Sequence, residues 1–273
     1  MSPADQQANP VKDTFDAVAD AYDSSALRFF ATAATHMASR FALRGDEHVL
    51  DVACGTGHLA VALAERLPRG RVTAVDFSPG MLAQARRKAA AVGLGNIDFV
   101  ERDMQALAWS AEFDLAACAF GLFFVEDMPT QLGRIVATVR PGGWVGISSF
   151  AEGYMDPPRA LMVARLKQFG VVPTPQIWLR IARPEDCQRL FASAGLADVQ
   201  VERHELGYPL SSAEEWWEVI WNTGFRRMVA RLAPAEQARF KAQHLAEVEA
   251  LRTPAGIRMD IGVLFTTGRV AGG

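Results

Sequence analysis

A doubly wound α/β fold is the architecture this sequence predicts, and three observations lead to it. Apolar strand-like runs alternate with helical patterns over about 100 residues, the mark of a parallel sheet covered on both faces. The run Val49-Leu50-Asp51-Val52-Ala53-Cys54-Gly55-Thr56-Gly57 carries an acid near the end of an apolar strand, then turns through two glycines into a helix. A second run, Arg71 to Asp76, again ends in an acid, about 20 residues beyond the glycine turn.

Taken in order, Met1 to about Val11 reads as frayed. Phe15, Val18, Tyr22 and Ala26 then recur at helical spacing, and a second helix is expected from Leu27 to about Leu43. Strands are expected at Glu47 to Val52, Arg71 to Asp76, Ile97 to Arg102, Phe113 to Cys118 and Trp144 to Ser149, with helices between them. The first of those helices runs from Thr56 to Leu67. Ser78-Pro79 supplies an N-cap and a first-turn proline for the next, whose buried face is Leu82, Ala85, Ala89 and Val92. Right-handed crossovers bring every strand's carboxyl end to one side.

Beyond Phe150 the pattern loosens around Pro157, Pro158, Pro173 and Pro175. Helices at about Arg159 to Phe169 and Pro184 to Ala194 precede a strand at Val199 to His204, and an apolar closing strand runs from Arg258 to Gly268. Between these late strands, about 209–255, lie helical runs with Trp216, Trp217 and Trp221 and then Pro234 to Leu251, too long for an ordinary loop and read as a lid. The domain plan is an N-terminal helical cap over 1–45, a cofactor-binding core over 46–150, and a C-terminal part over 151–273 that carries the lid.

A length of 273 residues with 50% hydrophobic content suits one elaborated domain. A net charge of -3, with no dense Lys/Arg run, excludes a broad nucleic-acid surface. The three cysteines, Cys54, Cys118 and Cys187, form no C-x-x-C pair, and an odd number argues against a disulfide framework. No apolar run reaches the roughly 18 residues of a membrane span, so a cytoplasmic protein is expected. No His/Cys/Asp cluster has metal-ligand spacing and no phosphate-binding G-x-x-x-x-G-K-[ST] occurs, so neither a metal nor ATP hydrolysis is expected.

Gly55 and Gly57 permit positive φ and leave bare backbone for a ligand to approach, although such turns also occur where nothing binds. A carboxylate such as Asp76 suits the vicinal diol of a ribose because it accepts two hydrogen bonds at once. Together they imply a nucleotide-type cofactor.

These residues resemble the class I S-adenosylmethionine-dependent methyltransferases, and within them the ubiquinone/menaquinone-biosynthesis methyltransferase group. Asp51-Val-Ala-Cys-Gly-Thr-Gly57 is similar to the family's first motif, Val75-Asp76-Phe-Ser-Pro-Gly-Met81 to its second, and Arg140-Pro-Gly-Gly-Trp144 to the turn before its fifth strand. The resemblance spans about Phe15 to Phe150. It implies a Rossmann-like seven-stranded sheet, order 3-2-1-4-5-7-6 with the last strand antiparallel, and S-adenosylmethionine as cofactor. It also implies roles for single residues. Asp51 and the turn from Gly55 to Gly57 would lie against the methionine part, Asp76 would hold the ribose, Phe77 and Met81 would pack on the adenine, Asp103 would accept from its amino group, and Ala53, Met104 and Cys118 would also bind the cofactor. Tyr22 would close over the cofactor. Asp103 could equally be a helix N-cap, and Tyr22 could simply pack its helix onto the sheet.

After the fourth strand, amine methyltransferases of this class carry an Asn/Asp-Pro-Pro-Tyr/Phe tetrad, and here the chain has Ala119-Phe120-Gly121-Leu122 instead. That favours a small, apolar or aromatic acceptor such as a phenol, quinol or natural-product scaffold, methylated on oxygen or carbon. Phe120, Phe123 and Trp217 are the candidate pocket walls, with core packing as their alternative. Of the five histidines, His204 is the candidate general base, with a surface histidine as its alternative, and His58 reads as a helix-terminus residue. A homodimer is left open. A nicotinamide-dependent oxidoreductase on the same core, and a non-catalytic scaffold that keeps the fold, are the competing functions.

Overall fold

The computed structural model of the protein describes residues 10 to 272. The frayed segment expected over Met1 to about Val11 falls almost wholly outside the described residues.

The chain opens with α1 (Pro10–Val18) and α2 (Phe29–Ser39). The alternating core follows: β1 (His48–Val52), α3 (His58–Ala64), β2 (Arg71–Asp76), α4 (Pro79–Ala91), β3 (Ile97–Glu101), β4 (Phe113–Ala119), α5 (Met128–Thr138) and β5 (Val139–Phe150). The C-terminal part holds α6 (Pro158–Gln168), α7 (Pro184–Ser193), β6 (Leu196–Glu205), β7 (Tyr208–Leu210), α8 (Ala213–Trp221), α9 (Arg226–Val229), α10 (Pro234–Glu249), β8 (Ile257–Met259) and β9 (Gly262–Val270).

Seven strands form one sheet in the order β3-β2-β1-β4-β5-β9-β6, and β9 runs antiparallel to both its neighbours. With β7 and β8 set aside, this is the order 3-2-1-4-5-7-6. Val49, Leu50 and Val52 of β1 and Leu115 to Cys118 of β4 are wholly buried, as expected for central parallel strands covered on both faces. Ser78 caps α4 by accepting from the Met81 amide at 3.1 Å, with Pro79 at its first position.

Several expected boundaries shift by a few residues, and three of the differences have a clear cause. The helix through Phe15 and Val18 stops at Val18 and continues as isolated 3-10 turns, Ala19–Ala21 and Ser25–Leu27, so Tyr22 sits in a turn. Asp20, Asp23, Ser24 and Ser25 favour turns over helix interior because their side chains compete for backbone partners. Strand β5 begins five residues early, because Gly142 at φ 79° carries the chain through Pro141-Gly142-Gly143 without leaving the sheet. The closing strand is split at Asp260-Ile261, and its first piece, β8, pairs instead with β7 in a separate two-stranded ribbon. That ribbon gathers the two ends of the helical insertion.

The insertion is anchored by Trp216, which is fully buried and donates through Nε1 to His244 Nε2 at 2.7 Å. Arg165 of α6 pairs with Glu247 of α10 and binds this layer to the body.

Candidate active site

The carboxyl ends of β1 to β4 open into a cavity of about 420 Å³, a size that suits a small ligand. Asp51, at the end of β1, is completely buried, and neither carboxylate oxygen meets a hydrogen-bond donor. Burial, and secondarily the charge of Asp76, holds its carboxyl well above the ordinary range. A buried acid in this condition is the complement of a cationic group, which would supply donors and restore the ionised form.

Asp76 ends β2 and accepts from the Gly55 amide at 2.8 Å on one oxygen and from the Ser78 amide at 2.9 Å on the other. Burial raises its pKa against the pull of the Ser78, Gly55 and Phe77 amides. Each oxygen keeps acceptor capacity for a hydroxyl. Asp103 does cap a short turn, accepting from the Gln105 amide at 2.8 Å, and its side chain also borders the cavity. Phe77, Met81 and Met104 line the same end, and Ala53, Gly55 and Tyr22 line the other walls.

The backbone is strained where the chain turns over this floor. Ala53 (φ 56°) and Phe120 (φ 54°) occupy the left-handed region that non-glycine residues rarely adopt, and both line the cavity. Gly121 lets the two loops abut, since a Cβ there would come within 2.8 Å of Ala53 Cβ and of Cys118 Sγ.

The N-terminal segment closes the cavity from above and is latched by three acids. Asp23 accepts from Thr56 Oγ1 at 2.7 Å and pairs with His58 at 2.9 Å and Lys88 at 2.9 Å. Burial alone would raise its pKa, but the bonds from His58, Thr56 and Lys88 outweigh it and hold the carboxyl well below the usual range. Asp16 accepts from Ser78 and Asp20 from Gln84, so the cap grips the starts of both α3 and α4.

A second cavity of about 170 Å³ adjoins the first, and Phe15, Tyr22, Phe30, Phe120 and Phe124 line both. Its wall is a run of rings. Tyr22 stacks on Phe30 at 5.1 Å, Phe30 meets Phe120 edge-on at 5.4 Å, and Phe120 stacks on Phe150 at 4.5 Å. Phe150 stacks on Tyr154 at 3.6 Å, and Tyr154 meets Trp178 at 5.8 Å. Phe123 lines this second cavity, and Arg180 holds the loop that carries it by donating to the carbonyls of Phe123, Val125 and Glu126.

Four expected site residues are not brought to either cavity. His204 lies on β6 at the sheet edge, where its side chain faces α2 and its ring meets that of His36 at a tilt, with centroids 3.8 Å apart. Trp217 turns toward α10, stacked on Trp221 at 5.7 Å and beside Phe240, while the segment from Thr223 to Met228, just beyond α8, is what the insertion contributes to the second cavity. Cys118 is wholly buried beneath the floor, and burial pushes its thiol up to about 12. Gly57 sits behind the floor, against α4. The absence of a metal-type cluster also needs correction: His36, Glu202 and His204 bring their ligand atoms within 4.8 Å of one another. Linear spacing could not reveal a trio drawn from α2 and β6, and Glu202 is already paired with Arg40 at 2.5 Å.

Phe30, Arg102, Tyr154 and Trp178 were not legible as lining residues. Phe30 carried the signal of a helix face, while Tyr154 and Trp178 lie in the proline-rich stretch where no periodicity operates.

Comparison with known proteins accords with this geometry. A family profile described as a methyltransferase domain matches residues 49–143. The chain is 30% identical over 183 residues to the demethylmenaquinone methyltransferase of Geobacillus kaustophilus, covering 62% of this chain and 78% of that one. It is 26% identical over 276 residues to the nocamycin O-methyltransferase of Saccharothrix syringae, covering 95% and 99%. Its fold matches the crystal structure of the YcgJ protein of Bacillus subtilis at a TM-score of 0.61 and 18% identity, over 89% of this chain and 100% of that one. Among the described residues no helix is long and apolar enough to cross a membrane. The chain belongs to the class I S-adenosylmethionine-dependent methyltransferases.

Proposed function

We propose that the protein methylates a small, largely apolar or aromatic acceptor on oxygen or carbon, with the cofactor in the first cavity and the acceptor in the second. The observation that carries this reading is the shared aromatic wall: an acid-lined chamber and a ring-lined chamber meet at Tyr22, Phe30 and Phe120.

S-adenosylmethionine supplies an electrophilic methyl group on a sulfonium sulfur. The residues present fit it, and the partnerless Asp51 carboxylate is the reason: it would answer the ammonium of the methionine part. Asp76 would accept from the ribose hydroxyls, Asp103 from the adenine amino group, and Phe77, Met81 and Met104 would pack about the base. Ala53 and Gly55 offer backbone on the floor, and Tyr22 with the latched N-terminal segment excludes water. Phe120, at the junction, would orient the acceptor, and alignment with exclusion of water is the main contribution asked of the protein.

O-methylation of nocamycin and methylation of a demethylmenaquinone, in the relatives' names, are consistent with an acceptor of this class. The test is product mass analysis of purified protein with S-adenosylmethionine and a panel of phenols, quinols and aromatic acids, repeated on Met228→Trp, which fills the second cavity. Loss of about tenfold or more in kcat/KM with S-adenosylhomocysteine affinity unchanged supports the assignment. Equal turnover in the variant refutes it.

A further inference from the structure

The charged groups that line the second cavity, Arg159 and Arg227, are both cations, and hydroxyls able to donate stand beside them. Arg227 stands exposed at its rim, and its guanidinium makes no ion pair among the described residues. Tyr22 and Tyr154 present hydroxyls from the shared wall and the far wall. Burial is the main cause that raises both phenols above their usual range, with Asp23 and Asp76 adding to it at Tyr22, so each is held in the protonated, donating form. Thr223 uses its oxygen to accept from the Phe225 amide at 3.4 Å, which leaves its proton to give.

Groups that could take a proton are placed elsewhere. Among the described residues, no Asp, Glu or His lines this cavity. Arg159 does line it, but its donors go to the Tyr154 carbonyl, Gln176 and Asp156. In the first cavity Asp51, Asp76 and Asp103 answer the cofactor under the reading above, His58 is engaged by Asp23, Arg102 is a cation, and Glu126 is exposed at the rim.

We propose that the acceptor arrives already ionised: its nucleophile is the oxygen of a carboxylate or acidic enolate on an apolar, ring-bearing body, drawn in by Arg227, and the protein supplies no general base. This rests on the methyl-transfer reading and narrows its substrate class. The acid's proton leaves to solvent before binding. The anionic oxygen then forms its bond to the methyl carbon as the carbon–sulfur bond breaks and that electron pair passes to sulfur. The negative and positive charges cancel, the products are a neutral ester or enol ether and a neutral thioether, and no proton moves in the step. A donor-lined, low-dielectric chamber is suited to such an anion, and a rim arginine raises its local concentration.

The experiment is calorimetry on protein loaded with S-adenosylhomocysteine, comparing 2-naphthoate with the isosteric 2-naphthamide, in wild type and Arg227→Gln. The expected result is at least tenfold tighter binding of the acid, weakened by salt, with the preference falling to about threefold or less in the exposed and therefore foldable variant. In turnover, the acidic limb of the pH profile should move with the pKa of the acceptor across a series of substituted probes. Equal binding of acid and amide overturns the proposal. So does a limb that ignores the acceptor and disappears in His58→Asn or Glu126→Gln, which would assign a base to the protein. Failure to bind S-adenosylhomocysteine at all would instead remove the methyl-transfer site assignment, so the two failures are separable.

Discussion

Asp23 accepts a 2.7 Å hydrogen bond from Thr56, and through it the N-terminal segment is tied to the glycine turn that floors the first cavity. The same carboxylate holds His58 and Lys88, so one side chain after α1 reports on the closure of the site. Because its folded pKa is depressed, the stability it contributes is present above the ordinary carboxylate value of 3.8 and is lost as pH falls below it toward the folded value. Asp23→Ala should cost about 1 kcal/mol after solvent screening of this partly exposed cluster, and should weaken S-adenosylhomocysteine binding several-fold. Thermal melts and titrations at pH 7 check both, and unchanged affinity would mean that the cap is not part of the site.

The two glycines of the first turn should separate under substitution. Gly57 has φ 82°, and an added Cβ would lie 2.8 Å from Ala85 Cβ, so Gly57→Ala should destabilise the fold by about 2 kcal/mol or more through strain and overpacking. Gly55 has φ 54° with nothing within 4 Å of an added Cβ. Gly55→Ala should therefore pay only the left-handed penalty, about 1 kcal/mol, but should lose cofactor affinity because the methyl projects into the cavity. Equal losses of stability and affinity in both variants would contradict this division.

How far such roles could be read in advance depended on how local their cause was. The strand-end acids Asp51 and Asp76 were legible because a parallel sheet delivers strand ends to one side whatever the side-chain details. Gly57 was legible as a needed glycine but not as a packing residue, since its neighbour Ala85 comes from the next helix. His204 and Trp217 failed for one reason: a strand or helix residue has a face, and only the tertiary partner, α2 in one case and α10 in the other, decides what that face meets. Tyr154 and Trp178 were illegible because the short segments on either side of α6, which carry them, have no period to read.

Asp51 is held above the ordinary carboxylate range by burial, so its ionisation opposes folding. Its folded pKa is raised, and its contribution to stability is therefore complete below 3.8 and is lost as pH rises through the folded value. Asp51→Asn should raise the melting temperature of the ligand-free protein at pH 7 and weaken S-adenosylmethionine binding by tenfold or more. A lower melting temperature with intact binding would remove Asp51 from the site.

The helical insertion carries its own acid sensitivity. His244 Nε2 accepts from Trp216, so its proton sits on Nδ1, and burial, against the opposing pull of Glu247, drives its pKa down to about 4. The depressed value means that its contribution is full above 6.5 and is lost as pH falls through about 4. Tryptophan emission should report opening of the α8 and α10 layer over that window, by up to about 3 kcal/mol, while His244→Gln flattens the response. An identical pH response in the variant would place the sensitivity elsewhere.

The division of labour between the two cavities is tested most directly by calorimetric titration of S-adenosylhomocysteine into wild type and Asp76→Ala. Micromolar binding by wild type, reduced a hundredfold or more in the variant, is the result expected if the acid-lined cavity holds the ribose. Undiminished binding in a folded Asp76→Ala protein would contradict the placement of the cofactor, and with it the assignment of the aromatic cavity to the acceptor.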